Sequence, residues 1–559
     1  NFIKAYSGNY RATFGEGLVM ENTDYFSSRK TGYGFSKRIT GIIGDLSHSQ
    51  EYALRGGAIE WKRANLNIAL FGSFDKKDVL LYNSNDDDWF ANDDDKNRND
   101  RDMVFSYITM SPRPIEDKII AIQGDKLAAV RDALEETLLG THLEYSPIIG
   151  THIGFTAYEA RYNRHFYVPE TEEELKKTIL LNQDSWRKFK LPDTEILSLY
   201  STKTSTYERD YRRVYGLDWR TVLDVVSFQG EYAEMERDGN IFKIGDDPKA
   251  IIASAHTQFD NLNFLILFRD YDLNFDNPYS RGFAEHEKFD DTVFDKYAHE
   301  LSNPVLAELY VNSAQAQAEK GIYFQTRYQF SRYFTLTSAY IDMWERKCDL
   351  RKSVRFQGEL EFRPIFALRL RLKYKHQANR YDDSADRAVS ITNETTGKVR
   401  AILSRRDYMS FEYRYTAVDM PPYPYLANDP EENGQSSTAN TTTRIHGDFI
   451  NVDYTHVFNK NLKVKGAFNF WNGHGVSHWD YEDMEIDFMG EQGVKYWFTV
   501  IDRISANLFL SVKFKWKRYK TKELDFRTWA NEPADDVPYD LMTVHEDERA
   551  VRIQIDWKY

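Results

Sequence analysis

The stretch FALRLRLKYKH puts Phe366, Leu368, Leu370, Leu372 and Tyr374 on one face of an extended chain, with Arg369, Arg371, Lys373 and Lys375 on the other. A repeat of two residues is the pitch of a β-strand, not of a helix. The same contrast recurs in VRFQGELEF (354–362), LKVKGAFNF (462–470), ANLFLSVKFKWK (506–517) and AVRIQIDWKY (550–559). A soluble sandwich also alternates, so periodicity alone does not choose between water and lipid. Length and strand ends do. The segments run to about ten residues, the span a tilted strand needs to cross a bilayer and longer than the usual soluble strand. Aromatic residues stand at their ends, as Tyr374, Trp471, Trp516, Trp557 and Tyr559 do, where a membrane-interface girdle lies. Strands in hydrocarbon must pair every backbone group, which requires a closed barrel. The reading is an all-β, transmembrane, antiparallel up-and-down outer-membrane barrel with long extracellular loops.

Connection lengths agree with it. An up-and-down barrel alternates short turns on one side with long loops on the other. Short turns are expected around Asp502 and Arg503, at Asn459–Asn461, at Arg363–Ile365 and at Arg332–Phe334. Long loops are expected at 84–102, 164–195, 272–320, 377–398, 417–443, 472–493 and 518–549, all within one domain spanning 1–559. Keeping the alternation forces YEDMEIDF (481–488) into an outer excursion. In the first half, strands are expected at 52–62, 66–74, 152–163, 222–233, 250–256 and 262–270. GDKLAAVRDALEETLL (124–139) and TEEELKKTILL (171–181) have helical spacing and are expected to be loop helices or a partial plug. The total comes to about 20 to 26 strands.

Composition removes competing classes. No apolar run of about 18 residues exists, so helices do not span a membrane. With 73 basic and 87 acidic residues the net charge is -14, which argues against a general nucleic-acid surface. Cys348 is the single cysteine, so neither an internal disulfide nor a thiolate metal cluster forms. The chain starts at Asn1 with no initiator Met or leader, as expected of a processed or trimmed product.

Chemistry is sparse. The carboxylates at 86–88 and 93–95 lack the spaced ligands and central glycine of an EF-hand and read as a solvated loop. GHGVSHWD offers His474, His478 and Asp480, but two histidines in a loop do not supply fixed geometry. No metal, cofactor or catalytic residue is expected, and no Walker, GxSxG or HExxH motif occurs. The polar strand faces say more. With the apolar faces toward lipid, Arg355, Glu359, Glu361, Arg369, Arg371, Lys373, Lys375, Glu412, Arg414, Lys463, Lys465, Lys513 and Lys515 line the lumen. Such charges either set ion or solute preference or pair across strands to keep the interior wet. Trp557 and Tyr559, closing a periodic last strand, resemble the signal read by the barrel assembly machinery.

Four segments, SGNYRATFGEGLVM (7–20), ALRGGAIEW (53–61), GEYAEM (230–235) and LFRDYD (267–272), resemble a family of large Gram-negative outer-membrane barrels named for an attached helix-hairpin-helix domain. The hairpin repeats are absent here, so a DNA-binding role does not transfer. The resemblance implies the barrel and the bacterial outer membrane. The functional expectation is a channel or translocation conduit, not an enzyme, with membrane lipid, the assembly machinery and periplasmic or surface proteins as partners. The alternatives are a plugged structural barrel anchoring surface or secretion components, a sheath around an electron-transfer partner and, last, a barrel enzyme acting on lipid or surface polymer.

Overall fold

The computed structural model describes residues 2–22, 40–45, 53–82, 103–108, 118–122, 125–165, 210–236, 247–272, 275, 277–283, 319–347, 352–380, 389–420, 443–473, 492–524 and 541–557. They form 23 strands of one antiparallel sheet. The first eight are β1 (Phe2–Thr13), β2 (Gly41–Gly44), β3 (Leu54–Arg63), β4 (Leu66–Tyr82), β5 (Met103–Ile108), β6 (Lys118–Ile122), β7 (Asp125–Ile148) and β8 (Thr151–Tyr162). Then come β9 (Tyr211–Leu223), β10 (Val226–Met235), β11 (Lys249–Gln258), β12 (Leu262–Tyr271), β13 (Glu319–Gln329), β14 (Phe334–Arg346), β15 (Lys352–Ile365) and β16 (Leu368–Arg380). The last are β17 (Val389–Ile402), β18 (Asp407–Met420), β19 (Thr443–Val457), β20 (Leu462–Gly473), β21 (Gln492–Arg503), β22 (Leu508–Leu524) and β23 (Leu541–Trp557). β2, β5 and β6 pair on the flanks, and the others follow one another in a continuous meander whose edge strands, among the described residues, are β1 and β23.

Every connection on one rim is a tight turn: 64–65, 149–150, 224–225, 259–261, 330–333, 366–367, 403–406, 458–461 and 504–507. The connections on the other rim include all the long ones. Positive φ at Ala64 (48°), Gly150 (84°) and Asp224 (55°) gives the two-residue turns the hand that suits the twist of paired strands. The turns expected near 502 and 363 form slightly later in the chain, at 504–507 and 366–367.

Some sequence expectations are corrected. GDKLAAVRDALEETLL is not helical: it opens β7, paired with β4 from Leu127 to Tyr145 and with β8 from Glu136 to Ile148. Ladder hydrogen bonds on both sides of a segment outweigh a modest helix propensity. The expected strand 222–233 instead straddles the turn at 224–225 between β9 and β10. Strands also reach into stretches read as loop: β16 runs to Arg380 and β17 starts at Val389, β20 to Gly473 and β21 from Gln492, β22 to Leu524 and β23 from Leu541. The segments 84–102, 171–181 and 481–488 lie outside the described residues.

The burial pattern is the reverse of a soluble protein's. Ile266 in β12 is 42% exposed and Ile555 in β23 is 66% exposed, whereas Glu60, Asp75, Lys77, Glu231, Arg269, Arg355, Glu412 and Lys517 are buried. Leu370 and Phe514, on the same apolar face, are half-buried by their neighbours along that face. A sheet that shows leucine and isoleucine outward and encloses arginine and glutamate is stable only with hydrocarbon outside. Ile266→Arg is therefore expected to destabilise the protein by about 2–4 kcal/mol in bilayers, measured by reversible unfolding in liposomes. An effect near zero would fit a water-exposed face and would overturn this orientation.

Candidate functional site

The enclosed space has two unlike halves. Beyond the outer end of β1 the chain turns inward instead of outward, and Phe14, Leu18, Val19 and Met20 become fully or almost fully buried. Gly15 and Gly17 make that turn possible, with φ of +53° and +77°. A side-chain carbon on Gly15 would lie 2.7 Å from the Glu231 carboxylate. That carboxylate holds the loop: the backbone N–H groups of Glu16, Leu18 and Val19 donate to it at 2.6, 3.0 and 3.0 Å.

A second segment, beyond β12, meets the first. Asn277 donates to the carbonyls of Leu18 and Val19 at 2.6 and 2.9 Å, and its Oδ1 accepts from the Tyr158 hydroxyl at 2.5 Å and the Tyr279 N–H at 3.0 Å. All four hydrogen-bonding positions of the amide are used. The Arg281 N–H donates to the Gly17 carbonyl at 2.6 Å, and the Glu21 N–H to the Tyr279 carbonyl at 2.9 Å. Burial pushes the Tyr279 hydroxyl well above its ordinary pKa, so it stays protonated and donates to Glu136. Phe14 stacks on His142 at 4.2 Å and on Phe71 at 5.7 Å, tying the loop to β7 and β4. Residues 14–22, 275 and 277–283 together form a plug.

All four segments that carry the family resemblance supply this plug or the wall against it. They contribute Phe14 and Leu18 from the first, Leu54 and Ala58 from the second, Glu231 and Met235 from the third, and Leu267 and Tyr271 from the fourth. Wall and plug are also joined by charge. Arg269 on β12 donates to Glu319 and, at 2.8 and 3.2 Å, to Asp342, while its guanidinium sits 5.2 Å from the centre of the Phe283 ring. Among the described residues, the apolar cluster runs from Tyr10 to Tyr340 and takes no member from β15 onward.

The thirteen residues read as lumen-lining lie on β15, β16, β18, β20 and β22, in the other half. All share the polar face of their strands. On β15 to β18 they are brought together as ion pairs. Glu361 accepts from Arg371 at 2.6 Å and from Arg363, with Arg369 at 3.8 Å. Glu359 lies 3.6 Å from Arg371 and faces Lys373 across the ladder. Glu412 holds Lys398 at 2.6 Å and Arg414 at 3.0 Å. Arg355 is buried, donates to Gln377 at 2.8 Å and sits over the Trp344 ring. Lys375, also buried, stands opposite Glu394. Lys463, Lys465, Lys513 and Lys515 lie apart from these on β20 and β22, with Lys513 5.4 Å from the Trp497 ring centre. Trp557 faces outward, exposed, at the end of β23; Tyr559, His474, His478 and Asp480 lie outside the described residues.

The plug residue Asn277 and the wall residues Glu231 and Arg269 that face the plug were not singled out by sequence reading. The available signal was FGEGLVM, whose apolar residues fall on both parities and so cannot be a lipid-facing strand.

No protein-family model and no curated protein matches the sequence. Solved structures similar in fold include the FrpB iron transporter from Neisseria meningitidis (F3-3 variant), at 9% identity and TM-score 0.34 over 90% of this chain and 71% of that one. The siderophore receptor PirA from Acinetobacter baumannii is 8% identical with TM-score 0.37, over 90% and 71%. OccAB4 from Acinetobacter baumannii is 11% identical with TM-score 0.26, over 89% and 99%. At such scores the architecture rests on the chain's own strand pairing and inverted burial. On that ground the chain is an outer-membrane β-barrel.

Proposed function

We propose that this chain is an outer-membrane conduit with a built-in plug, in which solute passes between the packed half and the charged wall of β15 to β23. The observation that carries this reading is the division of the interior. A barrel filled only for mechanical support would be packed against every strand, but among the described residues the apolar cluster stops at β14. Beyond it the wall presents Arg369, Arg371, Lys373, Lys463, Lys465 and Lys513 with their side chains only partly covered. A face of this kind is stable beside water, and rings of charge beside water set the preference of a pore. The inward residues 14–22, 275 and 277–283 are the elements whose movement would widen it.

Single-channel recording with the purified chain in planar bilayers tests the proposal. Discrete conductance steps are expected from the wild type, brief or small while the plug is seated. Absence of steps both in the wild type and in a plug-loosened variant would overturn the conduit and favour a structural barrel that anchors partners.

A further inference from the structure

The lipid-facing surface of β18 to β20 is unevenly covered beside the rim of tight turns. Three rows cross it there along the ladder: Asp407, His456 and Val464; Met409, Tyr454 and Gly466; Phe411, Val452 and Phe468. Gly466 puts no side chain into its row, between Tyr454 and the exposed Phe498 of β21. The two polar rings beside it are tethered to the opposite side. The Tyr454 hydroxyl donates to Asp407 Oδ1 at 2.5 Å, His456 Nδ1 lies 2.6 Å from the same oxygen, and Ser404 donates to Oδ2. Both rings are thereby held toward β18 and off β20. What remains over Gly466 and Val464 is an apolar groove of about 660 Å³, walled by Val452, Tyr454, His456, Phe458 and Phe468.

The groove reaches the rim, since Phe458 belongs to the turn 458–461. Tight turns lie on the periplasmic side of such a barrel. Leu403, Phe458 and Ile504 are exposed in three successive turns, which suits a rim seated in the headgroup layer rather than in open water. Cations gather at the same place. The nine tight turns carry four Lys or Arg residues, and three of them, Arg405, Arg406 and Lys460, stand in the neighbouring turns 403–406 and 458–461, all exposed. The carboxylates of the outward face beside these turns are Asp407, which Ser404, Tyr454 and His456 engage, and Asp502, which faces Leu462. Alternate residues of a strand are roughly 7 Å apart, so Gly466 lies one such step beyond the Val464 row.

We propose that this groove and the two turns above it hold one anionic phospholipid of the periplasmic leaflet, with an acyl chain over Gly466 and the headgroup phosphate at Arg405, Arg406 and Lys460. The groove is continuous with the face that meets hydrocarbon, so its occupant comes from the bilayer. Charge selects which lipid. Basic residues at a membrane surface each favour an anionic headgroup, whereas the ammonium of a zwitterionic one offsets the attraction of its own phosphate. Arginine forks add a matched contact to phosphate oxygens. The Asp407 tether has a stated part in this: by drawing Tyr454 and His456 aside it keeps the chain's place open. The inference stands apart from the conduit reading, because it concerns the outside of the wall.

Native mass spectrometry of the purified chain in detergent tests it, with phosphatidylglycerol, phosphatidylethanolamine and phosphatidylcholine of identical acyl chains added in equal amounts. One phosphatidylglycerol per chain is expected to be retained, about tenfold more tightly than phosphatidylcholine. The variant R405Q/R406Q/K460Q is expected to remove that preference. Val464→Phe, which fills the groove and leaves the cations in place, is expected to weaken phosphatidylglycerol about tenfold as well. Equal retention of the three lipids by the wild type, or a preference that survives the triple variant, overturns the site. Retention unmoved by Val464→Phe shows attraction to the basic turns alone and overturns it too. Both substitutions lie on turns or on the outward face, and unchanged β-sheet circular dichroism excludes misfolding as the cause of a loss.

Discussion

Glu231→Ala is expected to raise the open fraction of the barrel about a hundredfold. The Glu231 carboxylate accepts from three loop N–H groups, those of Glu16, Leu18 and Val19, and is itself buried, 1% exposed. Removing it leaves these loop donors without the carboxylate that holds them, beside the buried Asp218. Hydrogen bonds to a charged group contribute about 1.5–3 kcal/mol each, and unpaired buried donors cost a similar amount. Water entering the vacated space recovers part of this, so a net loss of about 3 kcal/mol in plug seating is expected. The wall does not depend on the carboxylate, because β10 keeps its ladders to β9 and β11. The change should appear as longer and larger openings in single-channel records with unaltered β-sheet content. Glu231→Gln keeps one accepting oxygen without charge and should fall between the two. Closed times equal to the wild type's would show that the loop is not held by this residue.

Arg269→Met is expected to lower global stability by about 3–5 kcal/mol. The guanidinium is fully buried and is the shared partner of Glu319 on β13 and Asp342 on β14, so methionine removes the cation that joins two buried carboxylates. Breaking a buried pair from one side costs more than deleting the whole set, since the orphaned charge stays in a low-dielectric place. The triple variant Arg269→Met, Glu319→Gln, Asp342→Asn should therefore regain most of the loss. Urea unfolding in liposomes followed by tryptophan fluorescence measures both. Arg269→Lys should rescue only in part, because a single ammonium cannot reproduce the forked contact to Asp342. If the single and triple variants are equally stable, the cluster is not an electrostatic unit.

The legible part of this fold in the sequence was the part with water on one side and lipid on the other. From β15 to β23 the faces alternate cleanly, and Leu370, Phe514 and Ile555 separate from Arg371, Lys513 and Gln554. The first half obscures the pattern because the plug makes the inner face apolar as well. β7 shows how: Leu134 and Leu138 are buried against the interior while Leu139 and Leu143 face outward, 67% and 42% exposed. Two apolar faces erase a period of two, and the spacing Leu127, Val130, Leu134, Leu138 then imitates a helical stripe. The same cause hides the plug contacts. Glu231 and Asn277 look like ordinary polar residues in GEYAEM and FDNPYS, since their partners are backbone groups more than two hundred positions away. Charges on the wall were recoverable because a strand's own alternation fixes their face. Which charges stand opposite one another was not, because that depends on which rows the register aligns.

The spans over which the plug bonds reach imply an order of events. On one rim, wall strands join their chain neighbours through turns of a few residues, so each of those hairpins closes a small loop. Glu16 meets Glu231 across 215 positions, and Asn277 meets Leu18 across 259. Contacts between distant positions carry the larger closure entropy and tend to form late. The stopper is thus expected to seat after the hairpins it bridges have paired, so that a stage with formed strands and an unseated stopper precedes the mature protein.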